Sequence, residues 1–270
     1  MKSTVNFRRL HLKGDQTMTQ AQEARLAMRQ GTWTGPTVHQ VKGYVQANLV
    51  MLPRSDAYEF LVYCQRNAKA CPVIEVTDPG DPEPHICAPG ADLRTDLPRY
   101  AIYKSGTKEG EVRDILKLWT QDSVAFLLGS SLSFDDALAR AGVEAGDTVW
   151  ALNTEIPTVP AGKFHGNLVV TMRLMSHEQV IPATQVSTRY IFTHGSPIHV
   201  GNPEVIGADL ERPIYGPPLP AIPEEKTAVF WACGVTPQQA AIVSKQELMI
   251  THAPGHGFVT DLRSDSFCIP

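Results

Sequence analysis

At 270 residues, 43% hydrophobic and 19% charged, the chain is long and apolar enough to bury a core as one large domain or as two interleaved ones. No apolar run approaches the roughly 18 residues of a membrane span, and the amino-terminal stretch lacks the ~7–15-residue apolar segment of a secretory signal. A net charge of −4 with scattered signs leaves no basic stripe for nucleic acid, and five cysteines without a Cys-x-x-Cys pair predict neither a disulfide framework nor a common zinc motif.

These exclusions predict a cytoplasmic protein whose partner is a small molecule. Neither a resident metal nor a cofactor is expected, and a homo-oligomer is compatible with the composition. In chain order, residues 1–18 read as a flexible leader. Thr19 and Gln22 form a capping box ahead of 20-QAQEARLAMRQ-30, with Gly31 as terminator. The stretch 43-GYVQANLVML-52 reads as a strand, Ser55 as the cap of a helix over 56-DAYEFLVYCQRN-67, and 72-PVIEVT-77 as a second strand. From Asp78 to Arg99, Pro, Gly and Asp dominate a connection too long to be ordinary.

The segments 122-DSVAFLLG-129, 147-DTVWAL-152 and 167-NLVVTMR-173 predict further strands, and Ser133 with Asp136 predicts a helix ending near Gly142. Ser176 with Gln179 opens a helix that Pro182 should break or kink. Residues 201–225 are proline-rich and predict a surface wrap. The tail reads as strand 227–234, a helix from Thr236 with Pro237 in its first turn, strand 247–251, a histidine loop and strand 258–262. Alternation of helix and strand predicts an α/β (mixed α+β) fold with a mixed sheet, flanking helices and two interleaved subdomains: 19–115 with 200–270, and an inserted 116–199.

Three places can carry chemistry. In 77-TDPGDPEPHICAPGADLRTDLPRY-100, Arg94 and Arg99 can fork onto a carboxylate while Asp78 and Asp96 hold them or act on protons; equally, the loop can be stitched by its own Asp–Arg pairs. In 230-FWACGVTPQ-238, the turn through Gly234 to Thr236 offers free N–H groups to an anion, with Cys233 either a nucleophile or a small buried hydrophobe. In 251-THAPGHGFVTDL-262, His252 leaves a strand end and His256 follows a Pro-Gly turn, which suits acid–base work. A metal pair or plain loop-binding imidazoles are the alternatives there. His165 and Arg173 flank the strand 167–173 and each can reach a site at one end of the sheet, whereas His194 and His199 read as structural.

The runs 43-GYVQANL-49, 64-CQRN-67, 75-EVTDPGDPEP-84, 88-APGADLRTDLPRY-100, 164-FHG-166, 230-FWACGVTPQ-238 and 251-THAPGH-256 together resemble the D-glutamate cyclase family, whose bacterial members carry the label hydro-lyase. The resemblance implies a two-part α/β fold and a lyase that closes D-glutamate to 5-oxo-D-proline with loss of water. The sequence departs from the family pattern at Ser130, in 149-VWALNTE-155, and at Gly257. On this reading Arg94, Arg99 and the Gly234–Thr236 turn clamp carboxylate, and His252 and His256 serve as base and acid. A non-catalytic carboxylate-binding protein and a dehydratase of hydroxy acids are the competing readings.

Overall fold

A computed structural model describes residues 18–144, 146 and 148–269. Apart from Met18, the expected leader lies outside the described residues. Helix α1 (Gln20–Arg29) starts at the Thr19–Gln22 capping box and buries Ala21, Ala24, Arg25 and Met28, the i, i+3, i+4, i+7 stripe of an amphipathic helix. Buried Arg25 fixes the helix to the end of the chain, donating to the Val259 carbonyl at 2.9 Å and to both oxygens of Asp261 at 2.9 and 3.0 Å.

The first sheet has the order β2 (Val73–Val76), β5 (Ser123–Gly129), β1 (Tyr44–Pro53), β10 (Leu248–His252), β3 (Tyr100–Lys104), β4 (Thr107–Val112), with β11 (Phe258–Arg263) also pairing β1. The second has the order β6 (Trp150–Pro157), β7 (Asn167–Ser176), β9 (Lys226–Ala232), β8 (His199–Val200). The mixed α/β character is as predicted, but where alternation suggested a mixed sheet, every paired strand is antiparallel. The reason is local: β1 and β2 flank α2 (Arg54–Arg66) as a βαβ unit would, yet β5 inserts between them and pairs antiparallel with both. The second sheet draws its strands from 150–232, past the predicted boundary at 199, because β9 returns to pair with β7.

Alternation along β1 separates two cores. Val50 and Leu52 face α2, whose Phe60 meets Phe126 edge-on at 4.7 Å and Phe164 at 5.1 Å. Each such ring contributes about 1.5–3 kcal/mol by burial. Leu49 and Met51 face the other way, onto Cys87, Leu93 and Leu97 of the long loop. That loop is therefore a structural cover; buried Glu75 anchors it by accepting from the Ile86 and Cys87 amides at 2.9 and 2.8 Å.

Several helix starts differ from their predicted caps. Pro53, not Ser55, precedes α2, and a 3-10 turn over Ser131–Phe134, capped by the Ser130 hydroxyl, leads into α3 (Asp135–Arg140). The Ser176–Gln179 capping box is present, and α4 (Val180–Thr188) runs through Pro182. A proline in a first turn lacks only an N–H that the helix does not use. Helix α5 (Thr236–Val243) has no side-chain cap at Val235. Instead the buried Thr236 hydroxyl accepts from Val169 N–H at 3.0 Å and donates to Cys233 O at 2.8 Å, tying the helix start to β7. No described helix is long and apolar enough to cross a membrane.

Candidate active site

A cleft of about 710 Å³, counted to its open mouth, lies between the two sheets. The first sheet contributes Gln46, Ala47 and Asn48 from β1, His252 from the end of β10, and Pro254, Gly255 and Gly257 from the loop that follows. Facing them are Ala151 of β6, Thr171 of β7 and the β9–α5 turn through Cys233, Gly234 and Val235. Ser130, Ser131 and Leu132, at the end of β5, close one side, and Val149 and Tyr215, whose hydroxyl lies beside Gly255 of the histidine loop, are also on the wall.

His252 owes its position to a change of partner. β1 pairs with β11 at Ala47 and with β10 from Val50, and in between the Leu49 N–H donates to His252 Nδ1 at 3.2 Å. With Nδ1 an acceptor, the neutral ring carries its proton on Nε2. Burial pushes this imidazole down to about 4, with a smaller push from nearby His256, so His252 is a neutral hydrogen-bond donor at physiological pH. His256 is half-buried and donates Nδ1–H to Pro254 O at 2.7 Å, which leaves its Nε2 as the basic nitrogen. Gly255, at φ +77°, makes the turn that sets the two rings apart.

The opposite wall is fitted to β1. A Cβ on Gly234 would fall 2.0 Å from Asn48 Nδ2, so only glycine lets the turn close over that amide. Asn48 in turn donates Nδ2 to Gly129 O at 2.9 Å, which fixes the orientation of its carboxamide. Burial pushes the Cys233 thiol up, although the Thr171 hydroxyl and the Val235 N–H face its sulfur and oppose the shift. A buried thiol of this kind is a neutral S–H rather than a ready thiolate.

Of the residues marked in the sequence, the cleft unites Cys233, Gly234 and His252, with His256 on the adjoining loop. The others are engaged elsewhere. Arg94 is paired with Asp92, two residues back, at 2.9 and 2.8 Å, and Arg99 with Glu111 across the β3–β4 hairpin at 3.5 Å. Asp96 is fully buried and receives Arg29 Nε and Nη2, both at 2.6 Å. Asp78 is exposed beside a turn, and exposed His165 is held by Lys163 O at 2.9 Å. Arg173 is buried behind the cleft, its Nη1 2.6 Å from Asp135 and its guanidinium 5.5 Å from the Phe134 ring. Arg94 and Arg99 are thus engaged within the fold, and of the carboxylate clamp expected of Arg94, Arg99 and the Gly234–Thr236 turn only the turn reaches the cleft. Among the described residues no three His, Cys, Asp or Glu side chains form a metal-holding group.

Sequence reasoning missed Gln46, Asn48, Thr171, Tyr215 and His194 as wall residues. Gln46 and Asn48 had a readable signal: two amides at i and i+2 in an otherwise apolar strand share one face. Ser130, Gly257 and Val149, where the sequence departs from the family pattern, all line the cleft, whereas Glu155 lies against Gly207 at a separate hollow.

Fold and site together define a mixed α/β protein with a ligand-sized cleft between two antiparallel sheets. Residues 124–261 match the family described as D-glutamate cyclase. A Geobacillus kaustophilus protein named "Putative hydro-lyase" is 49% identical over 251 residues, covering 91% of this chain and 95% of its own. Proteins of the same name from Thermoanaerobacter pseudethanolicus and Bacillus subtilis are 51% and 46% identical, covering 90% and 92% of this chain and 94% and 98% of theirs. The chain belongs to the D-glutamate cyclase family. A solved nitrogen repressor-like protein from Methanococcus jannaschii aligns over 83% of this chain and 90% of its own with a TM-score of 0.37 at 10% identity, too distant to inform the site.

Proposed function

We propose that the chain is a hydro-lyase whose substrate, a small carboxylic acid, occupies the cleft, and that D-glutamate, closing to 5-oxo-D-proline, is the first substrate to test. The observation that carries this reading is the convergence on one cleft, from two different sheets, of a neutral imidazole donor and the Cys233–Val235 turn.

In the ring closure the amine nitrogen forms a bond to the distal carboxyl carbon while one C–O bond breaks. The ammonium gives up two protons and the departing oxygen takes two, leaving as water. On this reading His256, on the loop adjoining the cleft, accepts a proton from nitrogen through Nε2, and His252 Nε2–H donates to the oxygen on which negative charge develops. Asn48 and the β9–α5 turn orient the acid.

Dehydration of a hydroxy acid is the second reading. It is favoured by the lack of a lysine or arginine on the described cleft wall, since a substrate with one carboxylate needs no second clamp. Chromatography of D-glutamate incubated with purified protein tests the first reading, and ultraviolet detection of enoates from a hydroxy-acid panel tests the second. If both are silent, and an acid that raises the melting temperature is recovered unchanged, the chain binds acids without turning them over.

A further inference from the structure

The cleft wall is polar in places but, among its described residues, carries no lysine, arginine, aspartate or glutamate. Its two imidazoles, His194 and His252, are held down to about 4 by burial, and burial pushes the Cys233 thiol up, so none of the three is charged at neutral pH. The guanidinium of Arg173, whose Nη2 reaches the back of Ser131 at 3.4 Å, is already paired with Asp135 at 2.6 Å. We propose that the cleft selects its occupant by charge: a small acid with a single carboxylate and an otherwise uncharged body, with dicarboxylates and open-chain zwitterions disfavoured.

The reason is desolvation. One carboxylate can exchange its water for neutral donors at this wall, namely the His252 Nε2–H, the Ser131 and Thr171 hydroxyls and the Gly234 amide. On the wall itself, His256 lying on the adjoining loop, a second or third ionic group brought from water finds no counter-ion, and an unpaired buried charge is costly. Ring closure of an amino diacid removes two charges at once, because ammonium and carboxylate become an amide and water. Such a wall therefore holds the lactam monoanion more tightly than its open-chain precursor, and the same charge rule admits 2-hydroxy and 2-enoic monocarboxylates. The inference rests on the cleft's being the substrate site proposed above.

Calorimetric titration of the whole protein with 5-oxo-D-proline, D-glutamate, glutarate and the uncharged lactam 2-pyrrolidinone tests it. The monoanionic lactam should bind at least about tenfold more tightly than either dicarboxylate. Val149, half-buried on the wall, gives the control. Val149→Arg should shift the ranking toward the dicarboxylates, and Val149→Gln, of similar reach but uncharged, should leave the ranking in place. Dicarboxylates binding as tightly as the lactam in the unmodified protein would overturn the charge rule while leaving the cleft as the site. If Val149→Arg leaves every affinity unchanged, or no acid binds, the ligand does not sit in the cleft and both readings fall together.

Discussion

The Leu49 amide and the His252 ring are joined at 3.2 Å, at the step in β1 where one antiparallel partner gives way to another. An imidazole nitrogen there takes the place of a strand carbonyl. The bond fixes the tautomer, and with it the one donor that β10 presents to the cleft.

Acid should destabilise the protein through two histidines. His252 and His194 are both held down to about 4 by burial, below the ordinary ~6.5. A base whose folded pKa is depressed binds protons more readily when unfolded. Its contribution is thus fully present above about pH 6.5 and is lost as the pH falls toward 4. Each amounts to roughly 3 kcal/mol as an upper bound. Thermal melts from pH 7.5 to 4.5 should show a falling melting temperature, with a clearly shallower fall in His194→Gln. An unchanged slope in that variant would show that His194 does not bear the loss.

His256 makes the opposite kind of test, because it is half-buried on a loop and its ring is hydrogen-bonded to the Pro254 carbonyl at 2.7 Å. If it moves the proton, His256→Ala should reduce turnover by roughly 10²–10⁴-fold with little change in melting temperature. A less stable variant with undiminished turnover per folded molecule would make the ring a loop brace and remove it from the chemistry.

Asp96 is expected to matter for folding alone. It accepts from Arg29 at the end of α1 and, within the loop that covers the first sheet, from the Asp92 amide at 2.9 Å and the Thr95 hydroxyl at 3.0 Å. Asp96→Ala should destabilise by about 2–4 kcal/mol, discounted from a fully buried pair because Arg29 is 42% exposed. Denaturant unfolding checks the loss, and turnover per folded molecule should hold; a selective drop in turnover would return Asp96 to the site.

What the sequence made legible was local. The Thr19–Gln22 box and the β9–α5–β10 run could be read because each signal lies within a few residues of the feature it specifies. Cys233, Gly234 and His252 could be picked out because they sit at the ends of such elements. The β3–β4 hairpin was not legible: β4 is a polar, exposed edge, and the turn puts Ser105 at φ 47°, a conformation more typical of glycine or asparagine. Without that hairpin, the Arg99–Glu111 pair is invisible, and Arg99 looks free to bind a ligand. Arg94 misled differently, since a guanidinium two residues from Asp92 can close on it or reach outward, and spacing does not choose. The cleft itself, built by strands from both sheets, has no local signature.

Cys233 should prove dispensable as a nucleophile. Burial pushes its thiol up, and only 9% of the residue is exposed. Cys233→Ser should retain most of the turnover, and alkylation of the native protein at pH 7.5 should be slow compared with that of a free thiol. Rapid, stoichiometric loss of activity on alkylation, protected by ligand, would restore the covalent reading.

Gly234 and Asn48 provide the last test, because their fit closes the cleft. An alanine at 234 would place its Cβ 2.0 Å from Asn48 Nδ2 and 2.4 Å from Cγ, while that amide is tethered to Gly129 O at 2.9 Å. Neither the turn nor the strand can yield freely, so Gly234→Ala should cost about 1–3 kcal/mol of stability as overpacking does. Asn48→Ala removes the obstacle but also the tether, and should itself cost about 1 kcal/mol for the lost bond. In the double variant the two costs should not add; the alanine methyl occupies the space the amide vacated, recovering most of the Gly234→Ala loss. Turnover should behave differently, staying low in all three, since the double variant restores packing without restoring the carboxamide that orients the acid. Strictly additive stabilities would mean that the turn relaxes away from β1, and full turnover in the double variant would mean that Asn48 serves the cleft's shape and not its chemistry.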